Sequence, residues 1–313
     1  IMGVDLIRDE AIVEKIRHMF ESRGRIMTDN NRRQADIPVG ASAIPKMPGT
    51  APGLYCPIDN KVIYAVPGVP YEMREMMEHF ILPDLQKRSG QRAVIRSRVL
   101  RTWGNSESGL AETLGDRIQQ LDKTGNPTLA FLASGIEGIK VRITAKAKDE
   151  TAALQILGEE EAVLRQLLGD IVFGVDDETI ETVVLNNLRK KDMTLTVAET
   201  LTGGVMSSRL TSSDPEMKSF KGAIVFKGIE NGVTGTDCAL LAAKKAKETY
   251  NADVSVAAVE PCASEGKPRG TVYLGVMIGD KSFVEEVGLP GDRNRLRNYA
   301  VISLMNYCRK LMS

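Results

Sequence analysis

The sequence predicts an α/β protein made of three consecutive segments, and three observations support this class. The chain has 313 residues, which corresponds to two or three domains at about 100–200 residues each. Residues 176–313 alternate strand-like and helix-like runs, as in an α/β domain. Residues 90–175 follow the order strand, helix, strand, strand, helix, strand, which is the split βαβ arrangement of a small α+β domain.

Composition excludes several functional classes. Lys plus Arg and Asp plus Glu are both 41, so no overall electric field recruits nucleic acid or a lipid surface. No apolar run approaches the roughly 18 residues of a membrane span. The 4 cysteines lie far apart without a CxxC pair, which favours a reducing compartment over a disulfide framework or zinc site. We therefore expect a cytoplasmic protein that binds no membrane, with nucleic acid disfavoured as a partner.

Residues 1–89 contain two helical patterns around an irregular stretch. The first pattern comprises Ile12, Ile16, Met19 and Phe20 and stops at Gly24. A stretch rich in Pro, Gly and Ala then leads to the strand-like run KVIYAV. The second helix carries an apolar stripe and is predicted to end at Pro83; the stripe is formed by Met73, Met76, Met77 and Phe80. These elements supply too few strands for a self-contained α/β sheet, so we expect the second half of a larger domain.

The two later segments have clearer patterns. In residues 90–175 the helix ESGLAETLGDRIQQL follows the first strand, with Asn105 or Ser106 as its cap. The last segment opens with the helix DDETIETVVLNNLRKK, for which Asp176 or Asp177 is the predicted cap and Glu178 lies in the first turn. Its predicted strands are MTLTVAE, GAIVFKG, ADVSVAAV and GTVYLGVMIG. Helices separate these strands, and the chain closes with RLRNYAVISLMNYCRKL.

One strand-to-helix turn carries the most chemical information. Gly203 and Gly204 let the backbone approach a ligand, and the free N–H groups of the helix start attract an anion or a developing oxyanion. In this interpretation Thr200 is the nucleophile and Glu199 is a base or a ligand anchor. The alternative is an ordinary connection in which Thr202 caps the helix. The residues by themselves leave both interpretations open.

Several motifs in sequence order resemble the competence/damage-inducible protein A (CinA) family. The runs NNRRQA (30–35), GTAPG (49–53) and PGVPYEM (67–73) look like the latter half of the family's molybdopterin-binding-like domain. The runs TWGNSESGLAETLGD and GDIVFGVDDETIE are similar to the family's middle linker domain. VAETLTGG (197–204) stands where the family's nicotinamide-nucleotide amidase domain has Ala-Glu-Ser-Cys-Thr-Gly-Gly.

This resemblance implies three domains and two activities. Residues 1–89 would be part of a molybdopterin-binding-like three-layer α/β domain, 90–175 the α+β linker domain and 176–313 the α/β CinA C-terminal domain. The family implies metal-dependent hydrolysis of ADP-ribose in the first domain and deamidation of nicotinamide mononucleotide in the last. It also implies a nucleotide-type ligand of the ADP-ribose class and a homodimer.

The amidase-like domain departs from the family pattern at its chemical positions. Thr200 replaces the nucleophilic serine, while Phe226 and Asn231 replace the tyrosine and lysine that assist it. General-base assistance contributes on the order of 10²–10⁴ in rate, so losing it is severe. The family's Gly-rich loop is replaced by a run containing Glu260 and Glu265, whose carboxylates would repel a phosphate. We therefore predict that this domain keeps its fold without amidase activity. Its predicted ligand contacts are Glu199, Thr202, Gly203 and Gly204.

The first segment keeps part of a phosphate-handling pattern. Its Gly/Pro turns can present backbone N–H groups to a pyrophosphate, and its arginines can neutralise the charge. The predicted contacts are Asn31, Arg32, Arg33, Gly49, Thr50, Gly53, Pro67, Gly68, Pro70 and Glu72. Glu72 is also the candidate ligand of a divalent metal ion, directly or through water. The alternative is that these are structural turns. The family's Thr-Gly-Gly-x-Gly-Pro-Thr-x-Asp-Asp segment, which bears metal-binding aspartates, does not occur in the 313 residues.

Three functions therefore compete. The first is a CinA-type ADP-ribose pyrophosphatase, and the second is a non-catalytic nucleotide-binding or assembly protein. The third is nucleic-acid association through a basic face of the middle domain, composed of Arg96, Arg98, Arg101, Lys140, Arg142, Lys146 and Lys148. Alternating charges on a strand also describe an ordinary solvated face, which is the simpler interpretation.

Overall fold

The computed structural model describes residues 1–90, 93–133, 135–226 and 234–313. The chain divides into two compact units, one ending near residue 90 and the other running from Ala93 to Ser313. The second unit contains the predicted middle and last segments. None of the described helices is both long enough and apolar enough to cross a membrane.

The first unit is built from short elements. Its helices are α1 (Glu10–Glu21), α2 (Asp29–Arg32), α3 (Pro70–Met76) and α4 (Leu82–Ser89). Its strands are β1 (Leu6–Arg8), β2 (Asp36–Pro38), β3 (Ser42–Ala43), β4 (Leu54–Ile58) and β5 (Lys61–Ala65). β1 pairs with β2, and β3, β4 and β5 form a second antiparallel sheet. The first predicted helix is confirmed, whereas the stretch predicted as irregular contains three of these short strands.

Pro83 does not end the second helix, and that prediction is wrong. A π-helical turn over Met77–Ile81 separates α3 from α4, and Pro83 lies in the first turn of α4. Proline is tolerated there because the amide it lacks would have no helical partner. The apolar stripe does face a core, in which fully buried Met76 packs with Ile44 and Ile81.

The middle domain confirms the split βαβ arrangement. Its strands are β6 (Val94–Thr102), β7 (Thr128–Ala133), β8 (Ile139–Ala147) and β9 (Val172–Val175). Its helices are α5 (Glu107–Thr113), α6 (Gly115–Thr124) and α7 (Glu150–Leu168). The sheet has the order β7-β8-β6-β9 with antiparallel neighbours. Ser106 caps α5 by accepting from the Gly109 amide at 3.1 Å, and the helix predicted as continuous divides at Leu114.

The last domain is a three-layer α/β sandwich. Its helices are α8 (Ile180–Lys190), α9 (Val205–Ser213), α10 (Gly235–Tyr250) and α11 (Arg293–Leu311). Its strands are β10 (Leu195–Glu199), β11 (Phe220–Val225), β12 (Val254–Val259), β13 (Thr271–Ile278) and β14 (Lys281–Gly288). The sheet order is β11-β10-β12-β13-β14, and β10 is parallel to both of its neighbours. α10 covers one face, while α8, α9 and α11 cover the other. The sequence did not predict β14, because this edge strand carries a charged outer pattern that resembles a loop.

The cap of α8 differs from the prediction. Thr179 is the N-cap, since its hydroxyl accepts from the Thr182 amide at 3.2 Å. The Thr182 hydroxyl accepts in return from the Thr179 amide at 2.9 Å. Asp176 has a φ of 49° and belongs to the preceding turn, so neither it nor Asp177 caps the helix. Glu178 also lies before the helix, where it accepts from the Val175 amide.

Asp214 fixes the connection between α9 and β11. Its buried carboxylate accepts hydrogen bonds from the Ser219 amide at 2.7 Å and the Phe220 amide at 2.9 Å. Arg189 pairs with its other oxygen at 3.0 Å. Burial by itself raises the pKa of Asp214, but the backbone amides and the Arg189 guanidinium outweigh it and hold this pKa below its ordinary value.

Candidate functional site

The candidate site lies where β10 ends, at the edge of the sheet at which β11 and β12 also end. Ligands of open α/β sheets bind outside the carboxyl ends of the strands. Glu199, the last residue of β10, is fully buried. Its carboxylate accepts from the amides of Gly204 at 2.6 Å, Met206 at 3.2 Å and Ser207 at 2.7 Å. The protein's own carboxylate therefore caps the N-terminus of α9.

This arrangement corrects both sequence interpretations of the turn. The start of α9 was predicted to offer free N–H groups to an anion, but Glu199 occupies three of them. Thr202 was the alternative cap, yet the N-cap is Gly204, with a φ of 95°. The Thr202 hydroxyl is buried and has no hydrogen-bond partner in the described chain. Gly203 is exposed next to the guanidinium of Arg297, which donates to the Leu201 carbonyl at 3.1 Å.

The predicted nucleophile is hydrogen-bonded to the backbone. Thr200 is half-buried, and its hydroxyl donates to the Ala258 carbonyl on β12 at 2.9 Å. A peptide carbonyl cannot take up the proton that a nucleophilic hydroxyl must lose, so this contact does not activate Thr200.

Of the two predicted assisting positions, the structure describes only Phe226. Phe226 packs in an alanine-rich cluster, and its amide donates to the Glu199 carbonyl at 3.0 Å. Lys245 on α10 places its ammonium 5.8 Å from the centroid of the Phe226 ring. This lysine was missed, because nothing in the pattern of an amphipathic helix distinguishes it. Asn231 lies outside the described residues.

A second carboxylate fills the loop that replaces the Gly-rich segment. Glu265 accepts from the amides of Cys262 and Gly235, both at 2.8 Å. The Cys262 amide is the main reason that the pKa of Glu265 lies below its ordinary value. Glu260 is paired with Arg293 at 3.0 Å. Both acidic residues are therefore held in place, and two amides that could contact a phosphate are already occupied.

In the first unit the structure brings two predicted residues together. Glu72 is only 7% exposed, and a Cβ built at Gly49 would fall 2.0 Å from its Oε1 atom. The Tyr71 hydroxyl donates to the same oxygen at 3.2 Å. Gly53 has a packing role instead, because a Cβ there would lie 2.5 Å from the sulfur of Met76. The GTAPG turn thus encloses a nearly buried carboxylate.

The other predicted contacts of the first unit are less closely grouped. Arg32 lies 3.8 Å from Glu10, and its buried Nε has no hydrogen-bond partner in the described chain. Asn31 bonds to the Thr28 hydroxyl, and Arg33 is exposed. The remaining predicted contacts are half-buried or exposed: Thr50, Pro67 and Gly68 lie outside helices and strands, and Pro70 is the first residue of α3. Within the described residues no group of three or more His, Cys, Asp or Glu is arranged to hold a metal ion.

The basic residues of the middle domain are partly neutralised. Arg96 pairs with Glu150 at 2.7 Å, and Arg98 pairs with Glu161 at 3.1 Å. Arg101 is buried, with 4% of its surface exposed, and donates to the carboxylate of Glu137 at 2.6 Å. These pairs reduce the positive charge that the face could present to a phosphate backbone, which favours the solvated-face interpretation.

Together these features define a multidomain α/β protein with a strand–turn–helix site in its last domain. Two family models match it: the damage-inducible protein CinA KH domain over residues 97–174, and the CinA C-terminal domain over 177–226 and 229–312. A CinA-like protein from Frankia casuarinae is 39% identical over 334 residues, covering 99% of this chain and 77% of that protein. The chain therefore belongs to the CinA family, which confirms the resemblance.

A second curated relative agrees with this membership. A CinA-like protein from Dictyoglomus thermophilum is 33% identical over 324 residues, covering 97% of this chain and 77% of that protein. Among solved structures, a CinA superfamily protein from Klebsiella pneumoniae is 18% identical with a TM-score of 0.38. That match covers 42% of this chain and 95% of the other.

Proposed function

We propose that this CinA-family protein hydrolyses the pyrophosphate bond of nucleotides of the ADP-ribose class. ADP-ribose itself is the expected substrate, and the reaction takes place in the domain to which residues 1–89 belong. The observation that carries the proposal is the Glu72 carboxylate enclosed by the GTAPG turn. A nearly buried carboxylate beside a Gly/Pro turn suits a metal-bridged phosphate, because Mg²⁺ is commonly bound by one or two carboxylates plus substrate phosphates. The metal, when bound, would neutralise the pyrophosphate charge, and Glu72 would hold it.

The first test measures ADP-ribose hydrolysis with added Mg²⁺ or Mn²⁺, on a chain that also carries the family's acidic Thr-Gly-Gly-x-Gly-Pro-Thr-x-Asp-Asp segment. Glu72→Gln is expected to lower kcat/KM by about 100-fold or more, since it removes the carboxylate that would hold the metal, and the metal would neutralise the phosphate charge. Glu75→Gln is the matched control, because Glu75 lies on the same helix and pairs with Lys46 at the surface. Equal activity of the two variants would contradict the proposal.

We also propose that the C-terminal domain does not deamidate nicotinamide mononucleotide. The support comes from three residues. The Thr200 hydroxyl is bonded to a backbone carbonyl, and Glu265 occupies two amides that a phosphate would need. Phe226 supplies no hydroxyl at the position of the assisting tyrosine. These contacts thus suit a structural role of the domain better than acyl transfer.

A second candidate function is a non-catalytic nucleotide-binding or assembly protein, and the two internal carboxylate caps favour the assembly role. Such caps stabilise helix starts without any ligand. In this case the homodimer that the family implies would be the functional form. Light scattering coupled to size-exclusion chromatography tests the dimer, and calorimetry with ADP-ribose in the absence of metal distinguishes binding from hydrolysis.

A further inference from the structure

A cleft of about 970 Å³ lies inside the second unit, between the middle domain and the last domain. One wall is the turn between β6 and α5 together with residues 135–139, and the opposite wall is α11. β13 and β14 supply the floor. No residue of the turn after β10 lines it, so the cleft is distinct from the candidate site. Its volume is near the upper end of the roughly 300–1,000 Å³ of small-molecule pockets.

Three half-buried aromatic rings line the cleft. The centroids of Trp103 and Tyr299 are 5.8 Å apart, with their planes inclined by 37°. Tyr307 lies two turns further along α11 on the same side. Neither the indole N–H nor either phenol has a hydrogen-bond partner in the described chain. Because the polar tips of half-buried Trp and Tyr usually have partners, they are available to a ligand.

Two opposite charges in the cleft are also unpaired. Lys310 and Glu285 line it, and neither forms an ion pair with any described residue. Burial, and then the charge of Glu285, raise the pKa of Tyr307, so this phenol stays a neutral donor. Both an acceptor and a cation are therefore offered beside the aromatic surface.

We propose that this cleft binds a planar heteroaromatic compound that carries an anionic group. The ring stacks on Trp103 and Tyr299, and base–aromatic stacking of this kind tolerates any flat ring. Donors on the ring edge bond to Glu285, while the anion pairs with Lys310. A nucleoside monophosphate and a heteroaromatic carboxylate share this chemistry. The proposal concerns a different unit from the pyrophosphatase, so each can fail without the other.

Trp103 makes the test direct, because the chain contains a single tryptophan. Its fluorescence is followed while AMP, pyridine-2-carboxylate, adenosine or inorganic phosphate is added. Saturable quenching by AMP alone identifies a nucleotide, and saturable quenching by the carboxylate identifies a smaller aromatic anion. Adenosine is expected to bind more weakly than AMP. The proposal is overturned if neither ring-bearing anion saturates, or if phosphate alone has the same effect as AMP.

Variants separate this cleft from other binding. Tyr299→Leu and Lys310→Gln are each expected to raise the Kd about tenfold or more, measured by calorimetry. Lys123→Gln is the matched control, because Lys123 is likewise an exposed lysine in the last turn of a helix. Lys310 is exposed, so its substitution keeps the fold even if Tyr299→Leu does not. Equal Kd values for Lys310→Gln and the control would refute the assignment.

Discussion

Replacing Glu199 by glutamine tests the internal cap of α9. The Gln carbonyl can still accept from Gly204 and Met206, but its NH₂ group then faces the Ser207 amide, and two donors oppose each other. Losing a charged acceptor costs roughly 1.5–3 kcal/mol, and a buried unpaired donor costs about 1–3 kcal/mol more. Since Glu199 is fully buried, no water compensates. We expect Glu199→Gln to lower the free energy of unfolding of the last domain by about 3–5 kcal/mol.

The assay combines urea unfolding with amide hydrogen exchange at the start of α9. Glu260→Gln is the control, because Glu260 is 37% exposed and forms a surface pair with Arg293. It should change the free energy of unfolding by less than about 1 kcal/mol. In Glu199→Gln the Ser207 amide should lose protection ahead of the rest of the domain. If the two variants are equally stable and the exchange of that amide is unchanged, the cap assignment is refuted.

Three further predictions concern stability. The lowered pKa of Asp214 stabilises the fold fully above its unfolded value of about 3.9, and this stabilisation is lost as the pH falls through the folded value. Asp214→Asn should therefore make the stability depend less on pH in the acid range, as followed by circular dichroism. An acid unfolding profile equal to that of the unmodified protein would contradict this role of Asp214. A Cβ at Gly275 would fall 2.8 Å from a backbone oxygen of α10, whereas Gly158 is exposed within α7 with free space around it. In urea unfolding, Gly275→Ala should lower the free energy of unfolding by about 1–3 kcal/mol, and Gly158→Ala should raise it by up to about 1 kcal/mol. Changes of the same sign would be inconsistent with the packing. Burial raises the pKa of Cys308 to about 12, so iodoacetamide should label it at pH 8 only as fast as the protein unfolds.

Periodicity predicted most of the architecture, because it reports which face of an element is buried. The alternation of β8 and the helical spacing of α11 both translated into the observed elements. Pro83 misled because a proline that starts a helical segment and one that ends a helix look the same locally. β14 was missed because an edge strand with one charged face lacks the apolar run of a central strand.

The site was harder to predict, for a physical reason. The sequence places two glycines after Glu199, and this is compatible both with an anion cradle and with a self-capped turn. Left-handed Gly203 and Gly204 turn the chain back so that the amides face the carboxylate, and only the three-dimensional path reveals this. The cleft shows the same limit, since Trp103 and Tyr299 belong to different domains and meet through packing alone.

Ammonia release from nicotinamide mononucleotide tests the central claim most directly, namely that the C-terminal domain has the CinA fold without the amidase chemistry. The purified protein is incubated with the nucleotide, and Thr200→Ser is assayed in parallel because it restores the hydroxyl of the family's nucleophile. The missing phenol at Phe226 and the contacts of Glu265 predict no turnover above background for either protein. Turnover by the unmodified protein at an ordinary rate, with a median kcat of about 10 s⁻¹ among enzymes, would contradict the claim.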